Sequence, residues 1–160
     1  MFGGPMILMT PIRTLNEGTE DWKALARAID LCKRVRTNIL TGKVLHLVEP
    51  FPQEQIGRSW DGWDAIGSYH EESDSAVIFV SRLGGTLGSR VIPLHALNPD
   101  TTYTITFEDH PAVSHTRTGH DLMTHGLDLT LPGPNHTTVI DPDGLLRASE
   151  VVFLTPASQG

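Results

Sequence analysis

The stretch LNPDTTYTITFED, residues 97–109, limits this chain more than any other part of it. Asn98-Pro99-Asp100 has the chemistry of a turn: proline presets φ, and the Asn and Asp side chains bond their own backbone. Tyr103, Ile105 and Phe107 then alternate with Thr102, Thr104 and Thr106. A period of two puts the large apolar residues on one face of a strand and the threonines on the other. Such a strand needs a sheet to pair with and a second layer to cover its apolar face. The same alternation returns in GLDLTLP, with Leu127, Leu129 and Leu131. KVLHLVE sets Leu45 and Leu47 against His46 and Val48. SAVIFVSR is an unbroken apolar run from Ala76 to Val80, which suits a strand buried on both faces. SRVIPLHAL is a short strand that Pro93 pushes toward an edge, and SEVVFLTP supplies one more strand near residue 155.

One helix precedes the strands. In NEGTEDWKALARAIDLCKRVRTNIL the apolar residues Trp22, Leu25, Ala26, Ile29, Cys32, Val35 and Ile39 recur at three and four. Asn16 or Thr19 can cap its start, with Glu17, Glu20 and Asp21 at the positive end. Lys33, Arg34 and Arg36 are expected at the negative end, and Gly42 stops the helix. This basic cluster suits a solvated helix end better than an anion site. No further helix of useful length is legible. The pattern predicts a mainly β fold, an antiparallel β-sandwich preceded by one strand (residues 5–9) and one α-helix.

A chain of 160 residues bounds the fold to about one domain with a real core. The net charge of −7 argues against nucleic acid or an anionic membrane as the main partner, since both need a basic footprint. No apolar run approaches the length of a membrane span. Cys32 is the one cysteine, so no intrachain disulfide can form. With no basic leader region before the apolar stretch MFGGPMILM, a cytoplasmic location is favoured. A chain that opens in a core-type strand looks like a piece of something longer.

Candidate sites are few. His110, His115, His120 and His125 are spaced five apart. On a helix that step turns about 140° past a full circle. On a strand the same-face pairs lie about 33 Å apart. Neither geometry gathers two imidazoles on one ion, so solvated or hydrogen-bonded loop histidines are expected in a folded loop broken by Pro111 and Gly119. DPDG, residues 141–144, lacks the later ligands of a calcium loop and reads as a turn. Asp61, Asp64, Asp109 and Asp121 could pair for acid–base work, but their neighbours are those of surface turns. Trp60 and Trp63 could stack on a sugar ring; the competing reading places one of them in the core at the head of a strand. Cys32 lies on the apolar helical stripe, as a buried small hydrophobe does. There is no phosphate loop, nucleophile elbow, dinucleotide fingerprint or zinc knuckle. No cofactor or metal is expected.

The order of segments resembles the end of glycoside hydrolase family 36, the α-galactosidase or melibiase family. FGGPMILMT resembles the last barrel strand of those enzymes. LARAIDLCKRVRTNILTGKVLHLVEP resembles the closing barrel helix and the passage into the C-terminal domain, although Cys32 stands before Lys33 where the family usually has tyrosine. WDGWDAIGSYHEESDSAVIFVSRL is similar to a Trp-Asp strand followed by an apolar strand ending in arginine. LHALNPDTTYTITFED, TGHDLMTHGLDLTLP and SEVVFL resemble the family's later strands, in order. Residues 134–147 fit no part of the pattern and look like an inserted loop. The resemblance implies two parts, residues 1–41 as the last strand and helix of a (β/α)8 barrel and residues 42–160 as a C-terminal β-sandwich. Its partner would be a catalytic barrel that binds galactosides. Family members retain anomeric configuration with two aspartates carried on earlier barrel strands, and no residue here matches those motifs. The implied function is that of a non-catalytic β-sandwich bracing a barrel. A carbohydrate-binding module using Trp60 and Trp63, and a ligand-free or homo-oligomerising domain, stay open. If the barrel is the absent partner, Ile7, Leu8, Trp22, Leu25 and Ile29 should be more exposed than core residues.

Overall fold

The computed structural model describes residues 18–48, 62–82, 88–131, 139–140 and 146–157. The expected strand over residues 5–9, and with it Ile7 and Leu8, lies outside the described residues. Helix α1 runs Glu20–Thr41. Thr19 is its cap, its hydroxyl accepting from the Trp22 amide at 3.3 Å, while Asn16, the other candidate, is outside the described residues. Gly42 ends the helix, its amide donating to the Asn38 carbonyl at 2.8 Å. A Cβ at Gly42 would sit 2.3 Å from that carbonyl oxygen and 2.4 Å from Ser68 Oγ, so close approach demands the glycine. The expectation that Lys33, Arg34 and Arg36 end the helix is corrected: the last turn holds no basic residue. The chain stays helical to Thr41, and the stop comes from Gly42 rather than from the basic run.

The strands are β1 (Lys43–His46), β2 (Trp63–His70), β3 (Ser75–Arg82), β4 (Ser89–Ile92), β5 (Thr102–Phe107), β6 (Ser114–Thr118), β7 (Leu127–Thr130), β8 (Val139–Ile140) and β9 (Leu146–Pro156). Seven form one sheet in the order β1-β2-β3-β9-β5-β6, with β8 paired to β9 beside that path. β4 and β7 form a second, two-stranded sheet. Every pairing is antiparallel. The fold is an unequal sandwich, mainly β, as the alternation predicts. β3 is central, between β2 and β9, and its apolar run is buried at Ala76, Val77, Ile78 and Val80. β4 stops at Ile92, immediately before Pro93.

The register explains the core. Ala65 faces Val80, Ile78 faces Val152, and Leu154 faces Ile105 across successive strands. These residues share one cluster with Trp63, Tyr103, Ile92, Leu94, Leu122, Leu127, Leu129 and Leu131. Full burial of each such side chain contributes about 1.5–3 kcal/mol relative to exposure. On the opposite face of β3, Val77 is buried outside that cluster, as is Val35 of α1. Helix α1 packs on β2 and β3. That makes a second, smaller seam on the outer side of the large sheet.

Residues 110–125 depart from the expected loop. They contain β6 and a second helix, α2 (Gly119–His125). Thr118 caps α2, its hydroxyl accepting from the Asp121 amide at 3.1 Å. Gly126, at φ 76°, ends it in the left-handed region. Periodicity does not reveal a helix of seven residues, because it presents only one buried large side chain, Leu122. Residues 134–147 also differ from a plain loop, since Val139 and Ile140 pair with Arg147 and Leu146.

Gly119 lies at the tightest joint. Its amide donates to the Thr101 carbonyl at 2.8 Å, and the His120 amide donates to Pro99 at 3.0 Å. A Cβ there would lie 2.0 Å from the Asn98 carbonyl oxygen and 3.2 Å from the Tyr103 ring. Gly119→Ala should therefore destabilise the fold by about 1–3 kcal/mol, read as an earlier urea midpoint. An unchanged midpoint would contradict this packing.

Candidate functional site

The sugar-stacking reading of the tryptophans loses one member. Trp63 heads β2 and is 1% exposed, filled in among the core side chains, so its ring faces no solvent. Its phase on β2 matches Ala65 and Tyr69, which point into the core, and this decides its side of the sheet. Trp60 and Asp61 lie outside the described residues, as does the DPDG turn.

The four histidines are dispersed. His110 Nδ1 lies 3.2 Å from Glu150 Oε2. His115 meets the Phe107 ring edge-on at 6.2 Å. His120 is exposed on α2, and His125 Nδ1 lies 2.8 Å from Asp121 Oδ1. Among the described residues no three His, Cys, Asp or Glu side chains gather where a metal ion could be held. Asp64 is exposed on β2. Asp121 is bonded by the Arg117 guanidinium and then by His125, which together hold its carboxyl below the ordinary range. Cys32 is half-buried on α1. Arg34, from the basic cluster, is bonded to Glu108 and lies 5.2 Å over the Phe153 ring, so it joins helix to sheet.

The densest polar cluster among the described residues centres on Asp74, which no local pattern in the sequence singles out. Asp74 closes the β2–β3 turn at φ 46°. Its carboxylate accepts from Tyr69 Oη at 2.8 Å, Thr101 Oγ1 at 2.5 Å, Asn98 Nδ2 at 3.4 Å, and Tyr103 Oη. Burial alone would push this carboxyl up; the four donors outweigh burial and hold it below the ordinary carboxylate value. Burial, and then the neighbouring Asp74, push the Tyr103 and Tyr69 phenols up. The only trace in the sequence is an aspartate at the end of HEESD, a residue type that tolerates the left-handed region. Its partners at 98, 101 and 103 are far away along the chain. With four donors from its own chain, Asp74 acts as a lock between the hairpin and the turn before β5.

Glu150 is similarly occupied. It is 4% exposed on β9 and accepts from the Asp109 and Val151 amides at 3.2 and 2.9 Å, besides His110. Arg82, also buried, donates to the Leu131 carbonyl at 2.8 Å and ties the two sheets together. Among the described residues, the buried charged groups are engaged in holding elements together.

No family model and no curated protein sequence matches the chain. Solved structures do. An α-galactosidase from Lactobacillus brevis matches 93% of this chain at TM-score 0.67 and 14% identity. The GH36 α-galactosidase AgaB from Geobacillus stearothermophilus matches 91% at TM-score 0.64 and 19% identity. The galactosidase domain of the α-galactosidase–sucrose kinase AgaSK matches 91% at TM-score 0.62 and 21% identity. The fold is that of the C-terminal domain of GH36 α-galactosidases. This chain spans only 17% of the AgaSK and AgaB chains and 18% of the L. brevis one.

The Asp74 lock generates a pH prediction. A carboxyl whose folded value is depressed adds stability that is present above its unfolded value, about 4. That stability is lost as pH falls through the folded value. Asp74→Asn tolerates the same backbone and keeps one acceptor, but removes the charge. It should cost about 1.5–3 kcal/mol at pH 7, with the gap to wild type closing below pH about 4. Urea titrations at pH 7 and at low pH would show this; a gap independent of pH would refute it.

Proposed function

We propose that the chain is the non-catalytic C-terminal portion of a GH36-type α-galactosidase, a β-sandwich that packs on a catalytic barrel through α1. The observation carrying this reading is the uneven burial of one amphipathic helix. Trp22 is 37% exposed, Leu25 and Ile29 are half-buried, and Val35 is 2% exposed. The apolar stripe thus continues past the part that the sheet covers. The likeness to GH36 structures over 91% of the chain supports a barrel as the body that takes up the rest. In such a barrel the helices form an outer ring around the strands, and catalytic groups come from loops at the strand ends. Retaining hydrolysis needs two carboxyl groups about 5–5.5 Å apart, flanking the scissile bond. Here the half-buried Asp74 and the buried Glu150 are each taken up by internal donors, which is the chemistry of bracing.

Carbohydrate metabolism and galactoside binding belong, in this reading, to the barrel and not to the sandwich. With Trp63 in the core, a sugar-binding platform would have to rest on Trp60 without it. No helix among the described residues is long and apolar enough to cross a membrane.

Two measurements test the proposal. The chain alone should give no turnover of an aryl α-galactoside. Placed in frame behind a GH36 barrel stripped of its own C-terminal part, it should restore soluble, active enzyme. The double variant Trp22→Asp, Leu25→Asp should lose that rescue. Turnover by the isolated chain, or a chimaera no more soluble than the stripped barrel, would sink the reading.

A further inference from the structure

Helix α1 is anchored unevenly, and the anchors have a pattern. Ser68 Oγ, on β2, donates to the Asn38 carbonyl at 2.5 Å. Asn38 Nδ2 donates to Ser75 Oγ, on β3, at 3.2 Å. Gly42 packs so closely on Ser68 and the Tyr69 carbonyl that no side chain fits there. Val35 is sealed on the outer side of the sheet. Arg34 reaches further across, to Phe153 on β9 and to Glu108 just beyond β5. These points span β2, β3, β9 and the end of β5, so they do not lie on one line. Contacts of that spread fix a helix in rotation as well as in position.

The first half of α1 has nothing comparable among the described residues. The contacts there are the cap at Thr19, the exposed pair Lys23–Glu20 at 2.8 Å and Asp30 with Arg34 at 3.3 Å, all within the helix and its cap. Exposed pairs of that kind contribute little. A helix of 22 residues is about 33 Å long at 1.5 Å per residue. Over residues 20–30 the described side chains are exposed, with Leu25 and Ile29 half-buried, while the helix runs unbroken into the anchored half.

We propose that α1 is a shared strut whose residues 31–41 belong to the core of the sandwich and whose residues 20–30 carry it to a second body, becoming rigid once gripped there. The division between barrel and sandwich at residues 41 and 42, which the family resemblance suggests, is then no hinge. The sandwich is held at one orientation to whatever grips the first half of the helix. The identity of that second body rests on the barrel reading above. The anchoring of the second half does not, and it can be tested in the chain alone.

Hydrogen exchange followed by mass spectrometry on the intact chain should show residues 31–41 protected as long as β3, with residues 20–30 exchanging early. Val35→Ala should lower the melting temperature by roughly 5–10 °C, whereas Leu25→Ala should change it by less than about 2 °C. Uniformly fast exchange along α1, or equal melting shifts for the two variants, would overturn the strut. Failure of the barrel chimaera with the exchange contrast intact would remove the second body and leave the anchoring standing.

Discussion

The structure depends on β9 lying in the middle of the large sheet. It pairs with β3 on one side and with β5 on the other, and Val152 and Leu154 are fully buried. Without it, β1-β2-β3 and β5-β6 would be two separate ribbons, each with a bare edge and an uncovered apolar face. Hairpins of that size are marginal in water by themselves. The β3–β9 pairing joins Ala76 to Leu154, partners distant in sequence, so loop closure comes before the reward of the contacts. The two-stranded sheet and α2 then close the inner face over Ile105, Tyr103 and Ile78.

The two faces of the sheet do different work. The inner face is the core. The outer face divides along the strand order. Over β2 and β3 it is covered by α1, with Val35 and Val77 sealed there. Over β5 and β6 it carries Thr102, Thr104 and Thr106, opposite Thr118, Thr116 and Ser114. A threonine face needs no cover, because its hydroxyls remain solvated. One helix is therefore enough for the outer side, and its position follows from where the apolar half of that face ends. Polar locks secure the corners: Asp74 between the β2–β3 turn and residues 98–103, Arg82 between the sheets, and Glu150 at the turn after β5.

Residues that act through local pattern were legible. Thr19 as a cap and Gly42 as a stop follow from near neighbours, and both stand where expected. The alternation through Tyr103 and Ile105 places both at 0% exposure. The apolar run of β3 marks a central strand because only such a strand buries both faces. The position of Trp63 was open between sugar and core, since phase on a strand tells sides apart without telling which side is covered. The end of α1 lies beyond the basic run because macrodipole preference is weaker than a true stop, here Gly42. The short helix α2 was invisible because its necessity comes from Gly119 nesting against Asn98 and Tyr103, a contact between segments.

The chain's own order of residues determined that there is one long amphipathic helix followed by short strands, where most of those strands begin, and which side chains share a face. Those follow from dihedral preference, period and capping, all of which act within a few residues. Tertiary structure alone decided that the last strand enters the centre of the sheet, that Asp74 collects donors from two segments, and that Val35 in the second half of α1 is sealed while Trp22 in the first is exposed. Such outcomes depend on which faces meet in space, and that is set by the sum of many weak burial terms that no local window contains.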